Sequence, residues 1–308
     1  MAKRRTKLKK KRVRRRYTRK SQRGGDPPSV ISEQKDGYTV YSLYNQYHYG
    51  DHLLNLKFFY NISDVLKNKK IKIRYYYNRN YIKKPEELKR YVNPETVDLI
   101  PMDRPPPNAT EITMDGIHEG PNHRTGIHNI PVDINILDFD IFYPEFYKRI
   151  LKIISLPDAN IDVSLFQNEP YLITAYDKLD PKYKNVDILI INAEPQSGQF
   201  TYDKKKMDDT CKRLNTKYNI VTTTPVDDTI KCTMKDGLML QDIGAISTHA
   251  KYIISVHSGP IVPCYNLLAK NNVKRWIILV NQEYKMKEVD TVILKSIDDL
   301  ANVEKYLT

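Results

Sequence analysis

The chain of 308 residues has only three cysteines, Cys211, Cys232 and Cys264. So small and odd a number supplies no disulfide framework, and no pair has metal-ligand spacing; a reducing compartment is the simpler expectation. No apolar run approaches the ~20 residues that cross a bilayer, and no hydrophobic stretch of a secretory signal follows the basic amino terminus. The expectation is therefore a soluble, intracellular protein. No Gly-x-Gly-x-x-Gly fingerprint follows any expected strand, which argues against a dinucleotide ligand. Acidic residues are wholly absent from the first 25 positions.

That last absence organises the charge. Residues 1–25 carry 14 of the 50 Lys and Arg, leaving 36 basic against 37 acidic residues in the remainder, so the tail accounts for the entire formal charge of +13. The run from Lys3 to Arg23 has almost no apolar content and closes in Gly24-Gly25-Asp26-Pro27-Pro28. It cannot build a core, and residues 1–28 are expected to be disordered. Lys9, Lys10, Lys11, Arg12, Arg14, Arg15 and Arg16 are the expected contacts for nucleic acid or another polyanion, because clustered cations release condensed counterions. A nuclear localisation signal at Lys9 to Arg12 and a solubilising extension are the alternatives.

After Pro28, short apolar runs alternate with amphipathic stretches, the pattern of stacked β-α units on a parallel sheet. Strands are expected at residues 40–44, 71–77 and 97–102. A helix is expected from Asp51 with Leu54, Phe58 and Val65 on one side, a long loop from Asp103 to Asp133, and a helix near Pro144 burying Phe146, Ile150 and Ile154. The second half has continuous apolar runs of the kind buried on both faces of a parallel sheet, at 186–191, 220–224, 252–256, 276–280 and 292–294. Helices are expected between them, notably over 203–217 and 238–249. The expected fold class is α/β, with two Rossmann-like domains over 29–178 and 179–308 after the tail.

Ligands of such sheets bind beyond the carboxyl ends of the strands. Three loops there carry chemistry. His257-Ser258-Gly259-Pro260 follows one strand and precedes an expected helix around Cys264 to Leu268; Gly259 permits close backbone approach, Pro260 suits a first helical turn, and helix-terminal N–H groups favour phosphate. The plain alternative is a strand-to-helix turn with Ser258 as its cap. Glu194-Pro195-Gln196-Ser197-Gly198-Gln199 follows an equivalent strand, so both loops are expected to border one cleft. Tyr49-Gly50-Asp51-His52 opens the first helix, where Asp51 or His52 is placed to act as general base; the alternative for Asp51 is a first-turn residue favoured by the helix dipole. His118, His123 and His128 invite a metal reading, but their spacing does not share a helical face and no cysteine is near, so no metal is expected.

The stretch Leu238-Met239-Leu240-Gln241-Asp242-Ile243-Gly244-Ala245-Ile246-Ser247, followed by Ala250-Lys251-Tyr252-Ile253-Ile254-Ser255-Val256-His257-Ser258-Gly259-Pro260, resembles the donor-binding domain of glycosyltransferases of the GT-B fold, above all heptosyltransferase-like members. Gly50-Asp51-His52 is similar to their Gly-Asp turn. The resemblance implies metal-independent transfer of a sugar from a nucleotide-sugar co-substrate to an acceptor hydroxyl, with no other cofactor. It further implies a donor-phosphate site at Ser258, Gly259 and Pro260, Glu194, Gln196, Asp242 and His257 beside it, and Asp51 or His52 as base. Two positions depart from the family pattern: His257 stands where an acidic residue is usual, and Val262 where a histidine is. The rivals are a non-catalytic virion or nucleic-acid-associated scaffold and another nucleotide-binding enzyme such as an epimerase. The tail is similar in composition to those of proteins of large DNA viruses, which implies a viral origin and a place in the virion or nucleus.

Overall fold

The computed structural model describes residues 32–113, 116–119, 123–126, 136–157, 159, 161, 175–196, 200–281, 283–286 and 289–308. The polybasic tail, His128 and Ser197 to Gln199 lie outside the described residues.

The chain opens on a hairpin, β1 (Ser32–Lys35) and β2 (Tyr38–Asn45), joined at Asp36 and Gly37 with φ of 52° and 79°. An Asp-Gly pair is the two-residue turn whose twist matches antiparallel strands, so the hairpin is signalled in the sequence itself. Helices α1 (Tyr49–Asn61) and α2 (Ser63–Asn68), strand β3 (Ile71–Asn78), helix α3 (Pro85–Lys89) and strand β4 (Val97–Met102) follow. The expected loop at 103–133 instead contains β5 (Thr110–Thr113), β6 (Gly116–Glu119) and β7 (His123–Gly126), which extend the first sheet in the order β4-β3-β2-β5-β6-β7. Strands β2 to β5 are mutually parallel and β6 and β7 antiparallel. Strand β8 (Ile136–Asp138) leads into α4 (Phe139–Ile153), which starts before the expected Pro144 and buries Phe146, Ile150 and Ile154 as expected.

The second sheet contains β9 (Val186–Ile191), β10 (Ile220–Thr222), β11 (Lys231–Cys232), β12 (Ala250–Val256), β13 (Arg275–Leu279) and, after β14 (Glu283–Lys285), β15 (Thr291–Leu294). All six of its strands are parallel, in the order β11-β10-β9-β12-β13-β15. Numbered within the sheet this is 3-2-1-4-5-6, the Rossmann order. Strand β10 stops at Thr222 and not Thr224; Thr223 N donates both to Ile190 O and to Asn192 Oδ1, each at 3.1 Å, and Thr224 N donates to Asn192 Oδ1 at 2.8 Å. Helices α5 (Lys204–Asn215) and α6 (Leu240–Ser247) are shorter than their expected spans; Asp203 caps the first, accepting from Lys206 N, and Asp242 closes the start of the second, accepting from Met239 N at 2.7 Å.

Apolar alternation divides the second sheet between two cores. Ile188, Ile190, Ile254, Val256, Ile277 and Leu279 pack outward under α5 and the carboxyl-terminal 3₁₀ segment. Leu189, Ile191, Ile253, Trp276 and Ile278 face the other way, into a core continuous with Leu43, Ile73 and Tyr75 of the first sheet. Helix α1 lies in the middle of that shared core. Every residue from His52 to Phe59 on it is buried, so it is enclosed on all sides and not one-faced as the periodicity suggested; Val65 belongs to α2, beyond a break at Ile62. Lys57 is enclosed with its neighbours and donates from Nζ to Tyr265 O. A buried cation costs several kcal/mol unless paired with hydrogen-bond acceptors, and the carbonyl is such a partner. Because both sheets share this core, Leu54→Ala should destabilise the chain by about 2–5 kcal/mol. Chemical denaturation should show the loss in one transition that moves probes on both sheets together.

Candidate functional site

In a doubly wound sheet the strand order reverses beside the first strand, and the two chains leaving on either side of that point open a crevice. Both sheets have such a point. In the second sheet it lies between β9 and β12, from which Asn192 to Gln196 and His257 to Pro260 emerge. In the first it lies between β2 and β5, and β2 leads into Asn45 to Asp51.

The two crevices meet. A Cβ placed on Gly50 would stand 3.2 Å from Gly259 Cα, and one on Gly259 would stand 3.0 Å from Gly50 N and 3.5 Å from Tyr49 Cβ. Backbone therefore abuts backbone, and each glycine is required by the other. Asp51 is the next residue on one side and Ser258 on the other. Ser258 precedes a 3₁₀ turn, Gly259–Cys264, yet its hydroxyl does not cap that turn; Oγ is buried and makes no hydrogen bond with the protein. The expected helix around Cys264 to Leu268 is absent. The 3₁₀ turn ends at Tyr265, and α7 (Leu267–Asn272) begins afresh with Asn266 accepting from Ala269 N at 2.7 Å. Two prolines, Pro260 and Pro263, remove N–H groups from the six-residue turn, and Ile261 N is spent on Ser258 O. Little macrodipole accumulates over so short a segment, so an anion there would depend on Ser258 Oγ and the Gly259 backbone rather than on a helix end.

The other residues singled out in the sequence fall in different places. Glu194 and Gln196 are exposed on the loop after β9, flanking buried Pro195. That loop is rooted by Asn192, 2 % exposed, whose carbonyl accepts from Tyr202 Oη at 2.6 Å while its side chain binds Thr223 and Thr224. His257 is partly exposed, and loss of solvation holds its imidazole down at about 4. It is therefore neutral at neutral pH. Asp242 caps its own helix and lies 3.6 Å from Arg90 Nη1, its side chain 16% exposed. His52 is wholly buried with Nδ1 3.0 Å from Tyr75 Oη. Burial lowers the His52 imidazole to about 3. His118 and His123 lie on neighbouring strands, and among the described residues no group of three His, Cys, Asp or Glu is placed to hold a metal ion.

Asn45, Asn55 and Tyr75, given no role by the sequence reading, join the start of α1 to the first sheet. Asn55 Nδ2 donates to Tyr75 Oη at 3.1 Å and to Ile112 O at 3.0 Å, and Asn45 Nδ2 donates to Ile112 O at 2.9 Å. With His52 they tie α1 to β2, β3 and β5 through groups that are all fully or almost fully buried. The sequence signal was an Asn three residues after His52, one turn along the same helix face.

No family profile matches this sequence, and no curated protein matches it. Among solved structures, the chain is similar to the glycosyl transferase family 9 from Veillonella parvula DSM 2008, at 12% identity and a TM-score of 0.43, covering 86% of this chain and 89% of that one. It is similar to E. coli heptosyltransferase WaaC with ADP-2-deoxy-2-fluoro heptose at 8% identity and a TM-score of 0.48, covering 87% and 100%. Against E. coli ADP-heptose lps heptosyltransferase II the values are 10% and 0.42, covering 87% and 98%.

Two outcomes follow from the geometry. Gly259→Ala puts a methyl against the Gly50 backbone, which has no side chain to move aside, and should cost about 1–3 kcal/mol in a denaturant titration. His52 and His257 have folded values below the ordinary 6.5, so the unfolded chain takes up protons first as pH falls. Their contribution is complete above about pH 6.5 and is lost progressively toward pH 4 and below. The melting temperature should drop over that range, and less steeply in His52→Gln.

Proposed function

We propose that this chain is a glycosyltransferase, moving a sugar from a nucleotide-sugar donor to an acceptor hydroxyl without a metal ion. The observation that carries the reading is the meeting of the two strand-order-reversal loops at Gly50 and Gly259, backbone against backbone, with Asp51 the next residue on one side and Ser258 the preceding residue on the other. Residues 29–178 then form the acceptor-side domain and 179–308 the donor-side domain.

In this reading Asp51 takes the proton from the acceptor hydroxyl as its oxygen bonds to the anomeric carbon of the donor sugar. The bond from that carbon to the donor phosphate breaks, and the nucleoside diphosphate leaves with the electron pair. Ser258 Oγ donates to the departing phosphate and Gly259 lets the backbone approach it. His257, neutral, contributes hydrogen bonding rather than charge, and Glu194 and Gln196 border the donor from the neighbouring loop. His52 positions α1 through Tyr75 and does not itself take the proton. Asp242 is assigned to the contact between the halves.

The test is thermal stabilisation of the full chain by a panel of nucleotides and nucleotide sugars, since a ligand binding only the folded state stabilises it by about 2.7 kcal/mol at a hundredfold excess over Kd. A selective rise, abolished by Ser258→Trp and kept in Asp51→Asn, is expected; absence of any rise at millimolar donor overturns the reading. Once a donor is found, Asp51→Asn should slow transfer by about 10²–10⁴-fold.

The segregated charge supports a second activity in residues 1–25, binding of nucleic acid or another polyanion, in a virion or nucleus. With about half of the tail cations on phosphates, log affinity for duplex DNA should fall against log salt with a slope of about −6. A chain lacking residues 1–25 should lose both the binding and the slope.

A further inference from the structure

Besides the shared apolar core and the parallel β8–β14 ladder, the two halves touch in three ways that differ in kind. The Gly50–Gly259 contact is steric. The Lys57–Tyr265 contact is a buried cation on a carbonyl. The third is polar and sits nearer solvent, where α3 of the first half reaches the beginning of α6 in the second. Glu87 Oε2 accepts from Leu240 N at 2.8 Å, and Arg90 Nη1 stands 3.4 Å from Gln241 Oε1 and 3.6 Å from Asp242 Oδ1. The side chains of Arg90 and Asp242 are 38% and 16% exposed.

We infer that α3 is a latch, which holds the halves closed over the crevice through Glu87 and Arg90 and is the contact that releases when the crevice opens. Three features fit α3 to this task. Its base is firm: Ile82, Leu88 and Tyr91 are buried at 2%, 0% and 1%, and Lys84 N donates to Tyr49 Oη at 2.7 Å, tying the segment to the residue before Gly50. Its grip is reversible at one point: Glu87 and Gln241 are 8% and 5% exposed, but the Arg90–Asp242 pair, 38% and 16% exposed, is open to weakening by solvent and salt. Its target is mechanically connected, because α6 packs directly on the Gly259–Cys264 turn. A ring of contacts thus runs from Gly259 through Gly50, Tyr49, Lys84, Glu87 and Leu240 back to the turn. Breaking it at α3 frees the turn from one side only and leaves both sheets intact.

The inference goes beyond the proposed transfer reaction and does not need it. Two of the three buried free thiols report on it. Cys264 lies in the turn between the halves, next to Tyr265 to which Lys57 donates. Cys211 lies in the outer core of the second half and registers unfolding of that sheet. In the full chain at neutral pH, alkylation by N-ethylmaleimide should be followed at each cysteine by mass spectrometry. Glu87→Gln and Arg90→Ala should each speed modification of Cys264 about tenfold or more with Cys211 unchanged, the signature of a local opening. High salt should do the same to the wild-type chain and little to either variant. Unchanged labelling of Cys264, or equal acceleration at Cys264 and Cys211, overturns the latch: the first means the contact holds nothing, and the second that it merely stabilises the fold. Either result leaves the donor-binding test above untouched.

Discussion

Two backbones meeting without a side chain between them set the terms for the rest of this molecule. The approach of Gly50 to Gly259 brings the start of α1 against the turn after β12. A helix in that position has no solvent face left, which is why eight consecutive residues of α1 are buried, Lys57 among them. The polar members of that run are accommodated one at a time: Lys57 by a carbonyl from the opposite half, His52 and Asn55 by Tyr75. Hydrogen bonding recovers the cost of burying such groups only when the partner is fixed, so each of these contacts also fixes the pose of the helix. The position of Asp51 is therefore a consequence of the core beneath it.

The interface grades from dry to wet. At Gly50 and Gly259 the contact is van der Waals and intolerant of one added carbon. At Lys57 it is electrostatic but sealed, so salt cannot reach it. At α3 it is electrostatic, and the Arg90–Asp242 pair, 38% and 16% exposed, reaches solvent. Glu87 illustrates the middle of this range: burial raises its carboxyl, while the Leu240 amide, Lys84 and Arg90 pull the other way. An interface with this gradient has a natural hinge side and a natural opening side, set by desolvation alone.

What the sequence made legible follows the same physics. Strands β9, β12 and β13 were readable because both of their faces are buried, which forces an unbroken apolar run. Placing the loops at Glu194 and His257 together needed only the rule that ligands sit at strand ends, and the observed order puts β9 beside β12. The strands after Met102 were hidden because β5, β6 and β7 have only four residues each, among prolines, glycines and histidines. Helix α1 misled for the opposite reason. Its spacing of Leu54 and Phe58 is that of a one-faced helix, and nothing local records that Asn55 would be covered by Tyr75 and Ile112 or Lys57 by a segment 208 residues away. Asp242 caps its own helix, and nothing local records its other neighbour, Arg90 of the first half.

The turn at Ser258 limits what chemistry the crevice can perform. A long helix aimed at the site would supply a fixed positive potential, and the phosphate would then be held whatever the side chains did. Here the segment is a six-residue 3₁₀ turn with two prolines, and its first side chain keeps its hydroxyl unspent. Burden shifts from the backbone dipole to one oxygen and to the fit of a bare glycine. A site built that way discriminates by shape and by a single hydrogen bond, and its affinity for an anion must come mainly from the parts of the ligand that lie outside the turn, along the loop that Asn192 roots. For a nucleotide sugar those parts are the nucleoside and the sugar, so recognition would precede and position the phosphate rather than follow from it.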